Sequence, residues 1–438
     1  MESAHRLVVF VDVALMLLLL NAGSWSDGVL VGPPPDPRPP SKGPPAVKVG
    51  FYNAKCPRAE EIVRAQVEKR FRIDHTITPA LLRMLFHDSF VRGADASILL
   101  DSKPGNEAEK DALPNLTIRS FDLIQEVKEA LESACPGIVS CADIIVLAVR
   151  DSVALAGGPK YDVPTGRLDG KVSSKDESLS LPSPAFPVEQ SLESFRQKGL
   201  DLEDMVVLLG AHTVGVALCG FFNDRLFNFH GTGAADPTMN PQLVARLSNV
   251  CPNPFFTESN ADPPINLDQS TPAIFDTSYY SQILAGNGIL LIDQEITADP
   301  TTIGLVHRFT SPAEFFPAFV RSIIKMGNIG VLTGTDPLGE VRLRCNETNR
   351  RSSLPSGPSQ PVHRPAKPPA RRAAPPSRPG TVPVPRPPVG RSMKHPPLSV
   401  LRPPPPVSRT PPKAPIHKGK PSPAPGHIRR RPSPPSSG

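Results

Sequence analysis

Leu81 to Ser97 reads LLRMLFHDSFVRGADAS, and this stretch decides the fold. Thr78 and Pro79 precede it as a helix start signal: an N-cap hydroxyl, then proline at the first helical position. The apolar residues that follow suit a buried helix. Arg83 and His87 are four residues apart and so project from one face into one space. A fixed cation beside a titratable imidazole is costly to bury, and that cost points to chemistry. Asp88, Asp95 and Ser97, placed directly after the helix, form an oxygen-rich cluster around Gly93 of the kind hard cations use.

Outward from this stretch the chain divides by composition. Of its 57 prolines, 28 fall after Asn349. Arg351 to Gly438 holds 17 Lys and Arg and no Asp or Glu, so residues 1–350 carry a net charge of −11 while the whole chain carries +6. An acidic body with a strongly basic tail is a different object from a uniformly basic protein. At the other end, Leu7 to Leu20 is apolar but for Asp12, and NAGSWS follows. This reads as a secretory signal peptide over 1–26, cleaved between Ala22 and Ser26, since the apolar run is short for a membrane span. A proline-rich linker over 27–48 leads into a body over 49–348, followed by a tail over 349–438. The tail cannot bury enough surface to offset chain entropy, and its proline runs favour polyproline II.

Helical spacing is expected over Cys56–Phe71, Phe121–Ala134, Cys141–Ala156, Asp201–Gly210 and Phe315–Met326. The Cys141 segment is apolar nearly all round and is read as a central buried helix. Strand signals are few, so the expected class is all-α, with a body near the upper limit for one core. Six cysteines in an exported chain imply disulfides, but six permit 15 connectivities. None sits in paired CxxC motifs, which argues against a zinc site.

A second histidine, His212, lies in GAHTVG at the end of the Asp201 helix. Gly210 and Gly215 would let a flat group approach the backbone there. With these residues placed, the chain resembles the class III haem peroxidases, the secretory plant peroxidases, from about Gly50 to Asn346. The motifs are FYNAKCP, LLRMLFHDSFVRGADAS, ESACPGIVSCADIIVLA, AGGPKYDVPTGRLDG, LLGAHTVGVALC, TPAIFDTSYY, LIDQEIT and IIKMGNIGVLTG, in that order. The resemblance implies a mainly helical, two-lobed fold with one haem b between distal and proximal helices. His212 matches the proximal iron ligand, and Asp293 matches the carboxylate that accepts its other N–H. His87 matches the distal base, Arg83 the cation that stabilises charge as the O–O bond breaks, and Asn115 the amide that keeps the distal histidine basic. Phe86 matches an aromatic wall and Pro182 a contact for aromatic donors.

The resemblance also implies two calcium ions. The distal set is Asp88, Asp95 and Ser97 with the carbonyls of Val91 and Gly93, and Glu109 through water. The proximal set is Thr213, Asp268, Thr271, the Ile274 carbonyl and Asp276. Implied disulfides are Cys56–Cys135, Cys141–Cys345 and Cys219–Cys251. The implied activity is reduction of hydrogen peroxide and oxidation of phenolic donors in two one-electron steps by a secreted monomer, free of membrane and nucleic acid once the signal is removed.

The pattern is broken in places. Ser89 and Ala94 replace a cysteine pair around the distal calcium loop, which predicts a looser site there. Leu267 stands where the family usually has an aromatic residue beside the proximal imidazole. Asn115-Leu116-Thr117 and Asn346-Glu347-Thr348 are glycosylation sequons, of which the second is expected to be the acceptor. The basic tail suits attachment to acidic wall polysaccharide. These departures motivate an alternative, a wall-binding scaffold with little turnover. A nucleic-acid binder fits poorly with the signal peptide and the acidic body.

Overall fold

The computed structural model describes residues 47–254 and 262–349, which belong to one compact unit, Met1–Gly357. The signal segment, the linker before Val47 and the tail beyond Asn349 lie outside the described residues. Val47 and Lys48, assigned to the linker from sequence, sit against the body: Lys48 exchanges both backbone hydrogen bonds with Thr165, at 2.9 and 3.0 Å. Asn349, assigned to the tail, donates from its side chain to the Val341 carbonyl at 2.8 Å.

The fold is mainly helical. Helices α1 (Ala59–Phe71), α2 (Ile77–Val91), α3 (Phe121–Ala134) and α4 (Cys141–Leu155) form one group. In it α4 packs against the other three. It is buried continuously from Cys141 to Val153, as its apolar circumference requires. Ser140 caps it by accepting from the Asp143 amide. A second group comprises α5 (Val188–Gln197), α6 (Leu202–Leu209), α7 (Asn223–Phe227), α8 (Pro241–Leu247), α9 (Ser278–Leu284), α10 (Leu291–Ala298), α11 (Ile303–Phe309) and α12 (Pro312–Met326). In this group α12 packs on α6, and α10 on α5, α9 and α11. Asp201 and Asp204 close a reciprocal capping box at the start of α6.

Strands are short. β1 (Arg167–Gly170) lies between β4 (Leu332–Thr333) and β5 (Gly339–Glu340), antiparallel to both, while β2 (Val216–Leu218) pairs with β3 (Pro264–Asn266). Arg167 is buried beside Asp143 and donates to the Gly327 carbonyl at the end of α12, so it joins the two groups. The cysteines pair as the resemblance implied: Cys56–Cys135, Cys141–Cys345 and Cys219–Cys251.

Helix ends differ from the sequence reading. α2 begins at Ile77, with Thr76 as its N-cap. Thr78 is buried in the first turn, where its hydroxyl donates to the Ser152 carbonyl of α4 at 3.1 Å instead of capping. Pro79 is the third helical residue, still within the turn whose N–H groups have no helical partner. The helix also continues through Val91, so Asp88 lies in its last turn and not after it. α1 starts at Ala59, after the Cys56 turn, and α12 starts earlier than expected, with Pro312 at its first position.

Candidate active site

Arg83, Phe86 and His87 lie on α2, and Asn115 ends the short 3₁₀ turn Leu113–Asn115. His87 Nδ1 lies 2.6 Å from Asn115 Oδ1, and Arg83 Nε donates to His87 Nε2 at 3.2 Å. A guanidinium can only donate, so Nε2 carries the lone pair and Nδ1 carries the proton given to Asn115. Asn115 Nδ2 donates in turn to the Glu109 carbonyl at 2.7 Å and to Ser178 Oγ at 3.2 Å, which fixes the amide orientation. Burial, and then the Arg83 charge, push the His87 pKa down to about 3, against a raising effect of Asn115. The imidazole is therefore neutral over the ordinary pH range. Arg83 is anchored by Thr117 Oγ1 at 2.7 Å and by the Pro114 carbonyl at 2.8 Å. Phe86 stands edge-on to the His87 ring, with centroids 5.6 Å apart, and packs on Phe90. With both amide atoms engaged and 1% exposure, Asn115 cannot receive a glycan. Asn346 is also held: its Nδ2 donates to Asp101 at 2.6 Å and its Oδ1 is buried without a partner, so this sequon is less open than expected.

His212 sits in the 3₁₀ turn Gly210–Thr213 that prolongs α6, and this turn packs against α2. Its Nδ1 lies 2.8 Å from Asp293 Oδ1 in the first turn of α10. The carboxylate accepts that proton, which leaves Nε2 as the free lone pair. Asp293 is 1% exposed; its Oδ2 accepts the Leu290 amide at 3.2 Å, and its Oδ1 also accepts the Tyr279 hydroxyl at 3.0 Å. The flanking glycines do not serve the purpose expected of them. A Cβ on Gly210 would collide with the Tyr280 hydroxyl and the Phe315 ring, and one on Gly215, at φ +104°, would meet Pro79 at 2.9 Å. They admit the protein's own side chains to the backbone, not a flat ligand. Leu267 is buried, and its amide donates to the Gly215 carbonyl. The aromatic ring beside His212 is that of Tyr279, edge-on at 6.1 Å. Pro182 lies half-buried in the loop whose Pro184 carbonyl accepts the Ile292 amide at the start of α10.

Two acidic clusters adjoin the histidines. Asp88, Asp95 and Glu109 are all but fully buried; Ser97 Oγ and both Glu109 carboxylate oxygens have no hydrogen-bond partner within 3.5 Å, although the Ser97 hydroxyl faces Glu109 closely enough to favour its charged form. Asp88 accepts the Ala96 and Ile98 amides, at 2.9 and 3.3 Å. Burial, and then the neighbouring acids, hold the Asp88 and Glu109 carboxyls well above the usual range. Gly93, at φ +102°, lets the loop pass the Ile329 carbonyl, which a Cβ would meet at 2.7 Å. Val91, expected to offer its carbonyl, accepts Lys198 Nζ at 3.2 Å, and an ammonium there competes with a cation for that oxygen. In the second cluster, Thr213 Oγ1 lies 3.1 Å from Asp276 and 3.4 Å from Asp268, and Thr271 Oγ1 lies 3.1 Å from Asp268. Ile274 follows on the same loop, its amide bonded to the Thr271 carbonyl. Among the described residues, no three His, Cys, Asp or Glu side chains by themselves form a metal-holding group. A cation at either cluster needs hydroxyl and carbonyl oxygens as well.

Sequence reasoning missed Thr117, Ser178, Tyr279 and Ser278, the last donating to Asp268 at 3.2 Å. Thr117, Ser278 and Tyr279 had a local signal, since each stands inside a motif already singled out, whereas Ser178 had none.

Residues 63–312 match the family model described as Peroxidase. Peroxidase 57 of Arabidopsis thaliana is 49% identical over 304 residues, covering 69% of this chain and 93% of that one. Peroxidase 28 of the same plant is 48% identical over 308 residues, with the same coverage. Peroxidase N1 of Nicotiana tabacum is 43% identical over 307 residues, covering 69% and 90%. The chain therefore belongs to the peroxidase family and is a peroxidase, an oxidoreductase that reduces hydrogen peroxide with electrons from a donor.

Proposed function

We propose that this peroxidase holds one haem b through His212 Nε2 and works on peroxide with His87 and Arg83. The observation that carries the reading is the matched pair of histidines. Each has its Nδ1–H committed to a buried acceptor, Asn115 or Asp293, and each therefore carries its lone pair on Nε2; that of His87 accepts Arg83 Nε–H, a bond that peroxide displaces when His87 acts as a base. One lone pair suits a metal and the other a proton. The donor set fits haem iron, for which a neutral imidazole backed by a carboxylate is a strong ligand.

Bound haem would supply the electrons that break the O–O bond and regain them singly from donors. His87 Nε2 takes the proton from one peroxide oxygen and returns it to the other, which leaves as water. Its neutral state at working pH follows from its depressed pKa. Arg83 balances negative charge on the departing oxygen, and Thr117 and Pro114 hold the guanidinium for that role. Two phenols each give one electron and one proton, so one peroxide and two phenols yield two waters and two phenoxyl radicals. Exposed Leu113 and Leu116 flank Asn115, and exposed Leu179 follows Ser178. This apolar rim supports aromatic donors, with Pro182 nearby in sequence.

Plant members of the family work with haem and calcium in general. For calcium, the unpartnered oxygens of Ser97 and Glu109 beside two buried carboxylates support a distal ion, and the convergence of Thr213, Asp268, Thr271 and Asp276 supports a proximal one. No helix among the described residues is long and apolar enough to cross a membrane. The signal segment supports export; on this reading the protein is a monomer directed to the cell wall, and the dense positive charge of the tail supports attachment to acidic polysaccharide there. Deleting Arg351–Gly438 then lowers the salt needed to elute the protein from wall material.

The test of the catalytic reading is His87→Leu in the haem-loaded enzyme. Loss of the base should cut turnover of peroxide with guaiacol by roughly 10²–10⁴. Turnover within threefold of the parent would refute the role of His87.

A further inference from the structure

Tyr279 and Tyr280 are adjacent, both fully buried, and do different things. The Tyr280 hydroxyl donates to the Val206 carbonyl at 3.1 Å, an ordinary backbone acceptor. The Tyr279 hydroxyl donates to Asp293 Oδ1 at 3.0 Å, the same oxygen that takes the His212 proton at 2.8 Å. The other carboxylate oxygen accepts the Leu290 amide. Asp293 is thus a buried anion shared among three donors, two of them on one oxygen.

We propose that Tyr279 is a positioning residue that tempers how strongly Asp293 draws on the His212 proton, and so sets the electron-donating strength of His212 toward a bound iron. The inference rests on the reading of His212 as the iron ligand. A carboxylate oxygen divides its charge between the donors it accepts. Each hydrogen bond from the phenol leaves less negative charge for the imidazole N–H, and the imidazole acquires less imidazolate character. A weaker imidazole donor stabilises ferric iron less. The Tyr279 ring, edge-on to His212, carries the hydroxyl that reaches Asp293.

The test is the ferric/ferrous midpoint potential of the full-length, haem-loaded protein. Tyr279→Phe removes the donor with little change in shape. It should shift the equilibrium toward ferric iron roughly three- to tenfold, about 30–60 mV to more negative potential. Tyr280→Phe, which removes an equally buried hydroxyl, should leave the potential in place. Replacing the four tyrosines of the chain with 3-fluorotyrosine makes the phenol a better donor. It should move the potential of the parent protein to more positive values and leave that of Tyr279→Phe unmoved. The His212 Nδ1–H resonance of the cyanide-ligated protein should move in Tyr279→Phe and not in Tyr280→Phe.

An unchanged potential in haem-loaded Tyr279→Phe overturns the proposal, as does an equal response of both proteins to fluorotyrosine. Should Tyr279→Phe fail to fold, the fluorotyrosine arm on the parent sequence decides, and no shift there overturns it. Failure of the parent chain to take up haem overturns this proposal and the ligand reading together, whereas haem uptake with an unmoved potential overturns this one alone.

Discussion

Replacing Asn115 with valine removes the acceptor that fixes the His87 tautomer. The bond it breaks is 2.6 Å long and joins two buried groups, 1% and 6% exposed. A buried donor left without a partner costs about 1–3 kcal/mol. The imidazole escapes that cost only by moving its proton to Nε2, where it cannot act as a base and where Arg83 Nε must first give up its 3.2 Å bond to that atom. The reactive tautomer is then disfavoured by at most that amount, and at 1.36 kcal/mol per tenfold the bimolecular rate with peroxide should fall roughly fivefold and by no more than about 150-fold. The assay is stopped-flow mixing of haem-loaded protein with peroxide, followed at the haem absorption band across pH. Asn115→Asp is the informative companion, because it keeps the acceptor and adds a negative charge. That charge favours imidazolium and raises the His87 pKa from about 3. In the parent the rate should stay flat from neutral pH to roughly one unit above that value and fall as His87 protonates. In Asn115→Asp the fall should begin at higher pH, with the alkaline rate retained. A peroxide rate for Asn115→Val within threefold of the parent, in a protein that melts normally, would refute the tautomer argument.

Three further outcomes follow from the same structure. Chelation should strip the distal ion before the proximal one, because the loop from Asp88 to Asp95 carries Ser89 and Ala94 in place of a cross-link; metal analysis during a chelator titration checks this, and tight retention of both ions contradicts it. Cysteines introduced together at Ser89 and Ala94 should slow that loss, measured in the same titration. Serine at both Cys141 and Cys345 opens a cross-link spanning 204 residues and should cost about 2–5 kcal/mol in denaturant unfolding; a loss below 1 kcal/mol would mean that Arg342 and its buried hydrogen bonds to the Ala96, Gly170 and Cys345 carbonyls hold the C-terminal segment unaided.

What could be read from the chain depended on how local the determining contact is. α3 was legible to the residue, since Leu123, Ile124, Val127 and Leu131 form one buried stripe at helical spacing. α2 was legible as a helix but not at its ends. Thr78 has the chemistry of a cap, yet its hydroxyl bonds Ser152, 74 positions away, a contact no local pattern encodes. Gly210 looked like room for a ligand because sequence gives no sign that Tyr280 and Phe315 approach it. Arg83 and His87 were legible as a pair because helical spacing places them together. His212 and Asp293 were paired only through the family resemblance, as were the disulfides. Tyr279 stood in a quoted motif, but its meeting with Asp293 depends on the packing of α9 against α10. Ser178 reaches Asn115 across 63 residues.

The central claim is that His212 binds haem iron while His87 stays free to move protons. The most direct measurement is the absorption spectrum of the purified protein and of His212→Ala after equal exposure to haem, each before and after peroxide and then a phenol. The account predicts an intense haem band in the parent that shifts with peroxide and returns with the phenol, and no such stable, cycling band in His212→Ala. A colourless parent, or a His212→Ala protein with the same band and the same cycle, would contradict it.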